Sequence, residues 1–149
     1  MTAGILLLNF GEPARAERDA VVEYLTRIFY NNADLEDYED EEAALRRSRE
    51  LARRRAPGLL EEYREIGGSP LNRQAEEQAE ALAEELRDRG REVRTRVGMQ
   101  FMEPTVEQAA ESVREAGVDR LVGVPMYPLC GRSTTVAALE DLDRALDET

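Results

Sequence analysis

The chain has 149 residues, a length that suits one domain with a sizeable hydrophobic core. Its net charge is −12, which argues against nucleic acid and anionic membranes as partners. A single cysteine excludes an internal disulfide, and the longest aliphatic run is too short for a membrane span or a signal peptide, so we expect a cytoplasmic protein without an integral membrane segment.

All 20 basic residues are arginine, and lysine is absent. High acidity without lysine is typical of a halophilic protein, because a salt-rich cytoplasm screens the repulsion among carboxylates. A GC-rich genome would also replace lysine by arginine, without any adaptation to salt. We favour the halophilic interpretation on the charge pattern.

The first half of the chain predicts one strand and several helices. Residues 4–10 form a continuous apolar run of the kind found in buried parallel strands. A helix follows, whose apolar face carries Val21, Val22, Leu25 and Ile28. The acidic stretch 34–42 predicts a solvated loop before a second helix anchored by Leu45 and Leu51. Pro57 should end that helix, and a further short helix should carry Leu59, Leu60 and Tyr63.

The second half predicts two more strands. Ser69 and Pro70 cap and start a helix over 70–89 that Gly90 ends. Strands are predicted at 93–99 and 121–125, with helices at 104–117 and 136–146, the last with Leu139, Leu142 and Leu146 on its inner face. Strands alternating with helices predict an α/β fold, a doubly wound parallel sheet, with one sheet edge left for a further strand or a neighbouring molecule.

Ligands of such sheets bind beyond the carboxyl ends of the strands. Here those ends carry Phe10, Phe101 and Tyr127, three of the eight aromatic residues, together with Met99, Met102 and Met126. An apolar cleft with arginines at its edge suits a large planar ligand that bears carboxylates. The alternative is that these side chains only cap a hydrophobic core.

The segment from Tyr63 to Asn72 contains a helix stop, Gly67-Gly68, directly before a helix start, Ser69-Pro70. Such a junction leaves backbone N–H groups that suit an anion. Ser69 also has a purely structural interpretation as a helix cap, and Arg53, Arg54 and Arg55 have one as a solvated helix surface.

Four blocks of the sequence, in order, resemble the N-terminal half of ferrochelatases along nearly the whole chain. They are Leu7-Leu8-Asn9-Phe10-Gly11-Glu12-Pro13, Arg53-Arg54-Arg55-Ala56-Pro57 with the glycine segment that follows, Gly98-Met99-Gln100-Phe101-Met102-Glu103-Pro104, and Tyr127-Pro128 with Ser133-Thr134-Thr135. The spacing between Tyr30 and Arg53 is more similar to protoporphyrin-type than to coproporphyrin-type enzymes. The resemblance implies a chelatase-like fold whose residues 1–149 form an incomplete N-terminal domain, ending before a fourth strand.

The resemblance also implies porphyrin-binding residues. Phe10 lies where the family places a side chain over the macrocycle, and Arg55, Ser69 and Ser133 match propionate contacts. Tyr63 matches a pocket tyrosine, and Gln100 stands where several members carry arginine. The remaining candidates line the pocket or its lip: Leu25, Ile28, Leu59, Phe101 and Tyr127.

Catalysis is expected to need more than this chain. The family's catalytic histidine and its partner glutamate belong to the second half, and this sequence has no histidine. The resemblance therefore implies one half of a lyase that inserts ferrous iron into porphyrin in heme biosynthesis, inactive alone and without catalytic or metal-binding residues of its own. Its partners would be porphyrin and the missing C-terminal half or a second protomer.

Two alternatives stay open, a homodimeric small chelatase and a noncatalytic porphyrin- or phosphate-binding module. Ferrous iron is expected as a substrate, and no tightly bound cofactor is expected. Arg132 stands where some animal members have an iron–sulfur ligand, and Cys130 is a lone cysteine, so no cluster is expected.

Overall fold

The computed structural model describes residues 1–33 and 37–147, so part of the acidic stretch 34–42 lies outside the described residues. The described residues form two compact units. The sheet unit contains Met1–Gly11 and the residues from Leu71 onward, and the helical unit contains Glu12–Pro70.

The sheet unit contains three parallel strands, β1 (Ala3–Asn9), β2 (Val93–Met99) and β3 (Arg120–Pro125), in the order β2-β1-β3. Ala3 pairs with Val93 on one side and with Arg120 on the other. All seven residues of β1 are buried, because this strand is central and helices cover both of its faces. The predicted strands and their parallel pairing are confirmed, with ends shifted by one residue at most.

Helices pack on both faces of the sheet. α3 (Leu71–Asp88) covers the face that carries Ile5 and Leu7, through Ala75 and Ala79. α4 (Val106–Glu115) and α5 (Ala137–Asp147) cover the opposite face, which carries Leu6 and Leu8. The prediction of a doubly wound parallel α/β sheet is confirmed.

The face under α4 and α5 has one glycine in each strand: Gly4, Gly98 and Gly123. A Cβ atom added at Gly98 would lie 3.1 Å from Cα of Val106, and one added at Gly123 would lie 2.6 Å from Cδ2 of Leu142. The missing side chains therefore allow the helices to approach the sheet closely. The two methyl groups of Leu8 lie over this space, 3.4 Å and 3.3 Å from the same two Cβ positions.

Several predicted helix bounds are wrong by a residue or two. α3 begins at Leu71, after Pro70, and α4 begins at Val106, because Thr105 forms a capping box with Gln108. A five-residue π-helical turn, Arg132–Val136, precedes α5.

The predicted inner face of α5 is only partly correct. Leu142 is buried, but its buried companion is Ala138, whereas Leu139 and Leu146 are 37% and 39% exposed. Ala138, a small residue, therefore faces the sheet together with Leu142.

The helical unit contains α1 (Arg18–Asn31) and α2 (Glu41–Ile66), which pack along each other. The predicted break at Pro57 is wrong, since α2 continues through this proline without interruption. Pro57 is exposed and lacks one backbone hydrogen bond, but its neighbour Ala56 belongs to a stripe of buried side chains. That stripe contains Ala44, Ser48, Ala52, Ala56, Leu60 and Tyr63, whereas the expected anchors Leu45 and Leu51 are only half-buried.

The predicted helix stop at the two glycines is confirmed. Gly67 has a φ of 76°, a left-handed conformation, and the N–H of Gly68 donates to the carbonyl of Tyr63 at 2.7 Å. Among the helices of residues 1–33 and 37–147, none combines the length and the apolarity that crossing a membrane requires.

Candidate functional site

The carboxyl edge of the sheet is held by backbone hydrogen bonds that continue past the strands. The N–H of Gln100 donates to the carbonyl of Asn9 at 2.9 Å, and that of Phe101 donates to the carbonyl of Phe10 at 3.0 Å. On the other side of β1, the N–H of Met126 donates to the carbonyl of Leu8 at 2.9 Å. These bonds fix the first residues beyond each strand, which are the residues that the sequence predicts to bind a ligand.

An aromatic cluster occupies this edge, with one ring from the end of each strand. The ring of Phe10 stacks on Phe101, with centroids 5.4 Å apart, and meets Tyr127 edge to face at 4.9 Å. Phe101 is 3% exposed, whereas Phe10 and Tyr127 are half-buried. The sheet thus brings three of the predicted residues together, with Phe10 in the middle.

Polar side chains beside the cluster form a chain of hydrogen bonds. The hydroxyl of Tyr127 donates to Oε1 of Gln100, whose amide nitrogen donates to Asp141 at 3.4 Å. Asp141 in turn accepts from Arg144 one turn along α5. Gln100, Asp141 and Arg144 also line a cleft of about 320 Å³ near the start of α4. Neither Asp141 nor Arg144 was predicted from the sequence.

Gly11 is the residue at which the chain leaves the aromatic cluster, and only glycine fits there. Its φ is +78°, and a Cβ would lie 2.9 Å from Cβ of Met102 and 3.1 Å from Cβ of Met99. The close approach of these two side chains therefore requires the glycine of the Asn9-Phe10-Gly11 turn.

The helical unit has its own cluster, formed by one carboxyl group and two tyrosines. The hydroxyl of Tyr63 donates to Oε2 of Glu12. Tyr63 and Tyr24 are each 6% exposed, and Glu12 is half-buried. Burial raises the pKa of the Glu12 carboxyl, while burial and then the charge of Glu12 raise the pKa of Tyr24.

Arg53, Arg54 and Arg55 lie in the middle of α2, and all three are exposed. Arg55 forms an ion pair with Glu62 at 2.9 Å, two turns along the same helix. Arg53 instead lines a groove between α1 and α2 together with Arg18 and Arg49. The three consecutive arginines thus face different surroundings, and only Arg55 was predicted to contact a ligand.

The other predicted residues are distributed between the two units. In the helical unit Leu25 is buried on α1, whereas Ile28, Leu59 and Ser69 are half-buried. In the sheet unit Ser133 is exposed in the π-helical turn. Their contacts with a ligand stay predictions.

The loop after β3 also carries the one cysteine of the chain. Cys130 is exposed, as is Arg132. Across residues 1–33 and 37–147, no three histidine, cysteine, aspartate or glutamate side chains are grouped so that they could hold a metal ion.

Comparison with known proteins identifies the family. A family model described as ferrochelatase matches residues 2–149. The chain belongs to the ferrochelatase family. It is 37% identical over 147 residues to a ferrochelatase of Synechococcus elongatus, a match that covers 97% of this chain and 37% of the relative. A ferrochelatase of Geotalea uraniireducens is 34% identical over 147 residues, and one of a Geobacter species is 32% identical over 148 residues.

The match extends over part of each relative only. Both of the latter two matches cover 97% of this chain and 44% of the relative, so the chain spans less than half the length of these ferrochelatases. The family resemblance predicted from the four sequence blocks is confirmed.

Sequence reasoning missed part of the site in this ferrochelatase-family chain. Tyr24 was not singled out, although it lies three residues after Val21 and one before Leu25, on the buried face of α1. That spacing was the available signal for an inward tyrosine. Its neighbour Glu12 is 51 residues from Tyr63, and nothing local in the sequence pairs residues at that distance.

Proposed function

We propose that this chain is the N-terminal half of a ferrochelatase and supplies one wall of its porphyrin-binding site. The complete protein would insert ferrous iron into a porphyrin in heme biosynthesis, a metal-chelatase reaction. Membership of the ferrochelatase family supports this proposal. The observation that carries it is the aromatic cluster of Phe10, Phe101 and Tyr127 at the carboxyl ends of the three strands.

The aromatic cluster suits one face of a flat macrocycle. Phe10 and Tyr127 are half-buried, while Phe101 lies against Phe10 and supports it. Because phenylalanine has no oxygen or nitrogen, Phe10 would contact the macrocycle by packing and would not bind iron. Gln100, held by Tyr127, would meet the ligand as a neutral amide.

The propionate groups of a porphyrin would be bound by polar side chains, with Arg55 and Ser69 as candidates in the helical unit and Ser133 in the sheet unit. Tyr63 would line the pocket. Arg55 is available to such an anion because its pair with Glu62 is exposed, and exposed ion pairs contribute only about 0–1 kcal/mol. Leu25, Ile28 and Leu59 would supply apolar contacts.

Iron handling is assigned to groups outside this chain. Metal insertion needs a group that accepts the pyrrole protons, for which an imidazole is suited at neutral pH, and the sequence has no histidine. We therefore propose that the chain is inactive alone and needs a C-terminal half or a second protomer. In this proposal ferrous iron is a substrate, and the chain holds no iron–sulfur cluster and no tightly bound cofactor.

Porphyrin titration of the chain tests the proposed function. Fluorescence quenching with protoporphyrin and with coproporphyrin should show saturable binding, stronger for protoporphyrin. The Phe10→Ala variant should bind at least about tenfold more weakly, a loss of about 1.4 kcal/mol. The matched control is Phe29→Ala, which removes a half-buried ring from α1 in the helical unit.

Three outcomes distinguish the candidate functions. Equal affinity of the Phe10→Ala and Phe29→Ala variants would contradict the aromatic wall. Iron insertion by the chain alone, above a control without protein, would favour the homodimeric chelatase. Binding of inorganic phosphate without any binding of porphyrin would favour the phosphate-binding module.

A further inference from the structure

We propose that Glu12 is a positioning residue that couples binding of a porphyrin propionate at Tyr63 to the uptake of one proton. This inference rests on the proposed function, because it concerns how the candidate Tyr63 would recognise its ligand. It concerns only the helical unit, which contains both residues.

The geometry places three ionisable side chains in one largely buried cluster. Glu12 precedes α1, Tyr24 lies on α1, and Tyr63 lies in the last turn of α2. The hydroxyl of Tyr63 donates its hydrogen bond to the Glu12 carboxylate. Among the described residues, Tyr24 from α1 and Tyr63 from α2 both face Glu12.

The proton inventory of this cluster determines what Tyr63 can bind. A phenol has a single O–H, and an ionised carboxylate only accepts hydrogen bonds. While Glu12 is ionised, the proton of Tyr63 is engaged, and Tyr63 has none left for a propionate. The ionised Glu12 would also repel the incoming carboxylate.

Protonation of Glu12 reverses this arrangement. The new O–H of Glu12 can donate to the phenolic oxygen of Tyr63, and the O–H of Tyr63 can then donate to the propionate. The proton comes from solvent and stays on Glu12, so one proton is taken up for each propionate bound and no bond other than O–H changes. The partial burial of Glu12 already disfavours its charged form, which makes this uptake easier.

The test is a titration of the chain with protoporphyrin over the pH range in which a buried carboxyl group ionises. We expect the Kd of the wild-type chain to rise with pH, with a limiting slope of about tenfold per pH unit, as for one linked proton. The Glu12→Gln variant should bind at high pH at least as tightly as at low pH. The pH dependence of Kd that remains in Glu12→Gln reports the ionisation of the porphyrin propionates themselves. The difference between the wild-type and Glu12→Gln pH profiles therefore isolates the contribution of Glu12.

The Tyr63→Phe variant provides a second, conservative probe that keeps the ring in the core. It should lose the pH dependence and bind more weakly than wild type at low pH, whereas a merely structural Glu12 would leave both pH profiles parallel to wild type. Tight binding with parallel profiles would overturn the coupling and leave the proposed function standing. Absence of porphyrin binding in every variant and at every pH would overturn both.

Discussion

The hydroxyl of Tyr127, on the loop after β3, donates a hydrogen bond to the side-chain amide of Gln100, on the loop after β2. These two strands do not pair with each other, because β1 lies between them. The bond therefore joins the two outer loops of the carboxyl edge across the central strand, where Phe10 contacts Tyr127 as well.

A double-mutant cycle measures what this bond contributes. Tyr127→Phe and Gln100→Ala should each lower the free energy of unfolding by about 0.5–1.5 kcal/mol, as expected for one partly buried neutral hydrogen bond. The double variant should lose less than the sum, because the second substitution finds the bond already broken. Urea denaturation of the four proteins checks this, and strictly additive losses would show that the bond contributes nothing.

Arg55→Ala should weaken porphyrin binding by about 1.5–3 kcal/mol, the range for hydrogen bonds to charged groups. It should change the melting temperature little, since its pair with Glu62 is exposed. Arg54→Ala is the matched control, because Arg54 is an exposed neighbour on the same helix. Equal porphyrin affinity of the two variants would return Arg55 to the role of a solvated surface residue.

Pro57→Ala should stabilise the chain, by about 1–3 kcal/mol. The substitution restores an N–H that can bond to the carbonyl of Arg53, and it removes the steric conflict of a proline ring inside a helix. The loss of proline's rigidity in the unfolded chain offsets part of the gain. Thermal and urea unfolding check this, and a lower stability of Pro57→Ala would indicate that α2 needs a deformation at this point.

The stability of the chain should depend on pH through Glu12. Burial raises the pKa of the folded-state carboxyl above its ordinary value of 4.5, so the protonated form is favoured by folding. This contribution is fully present below pH 4.5 and is lost as the pH rises through the raised pKa. The free energy of unfolding of wild type, measured against Glu12→Gln, should therefore fall over that interval. A difference that stays constant or grows with pH would contradict the assignment.

Molar potassium chloride should raise the melting temperature above its value at low salt. Screening weakens the mutual repulsion of a chain with a net charge of −12. Screening also weakens surface ion pairs such as Arg73–Glu77 and Arg89–Glu85, but exposed pairs contribute only about 0–1 kcal/mol each. A melting temperature that falls with salt would contradict the halophilic interpretation.

Local patterns predicted the strands well, because a buried parallel strand such as β1 is a short apolar run with few other structural solutions. Helix α2 was harder to predict. Half of its inward stripe consists of alanines and one member is a serine, which periodicity analysis does not distinguish from a polar surface. Pro57 then dominated the local interpretation. Packing against α1 keeps α2 helical through Pro57, and no local sequence rule contains that contact.

The candidate site likewise contains some contacts that the sequence predicts and others that depend on packing. Phe10, Phe101 and Tyr127 could be grouped from the sequence, because each follows a strand and the carboxyl ends of parallel strands meet at one edge. The Glu12–Tyr63 bond and the Gln100–Asp141 contact depend on the tertiary fold alone. The sequence shows which polar groups are present. Which carboxylate accepts a hydrogen bond from which donor depends on how the helices pack.

The glycines beneath α4 and α5 make positions 8, 98 and 123 a single shared volume, since the methyl groups of Leu8 lie over both glycine positions. A methyl group added at Gly123 must be compensated by atoms removed from Leu142 and Leu8, whereas one added at Gly98 meets the backbone of Val106, which no substitution removes. A library that varies these positions one at a time would therefore find only losses. One that varies positions 8, 123 and 142 jointly would find the tolerated combinations, because Leu142 supplies the atom nearest to a Cβ at position 123.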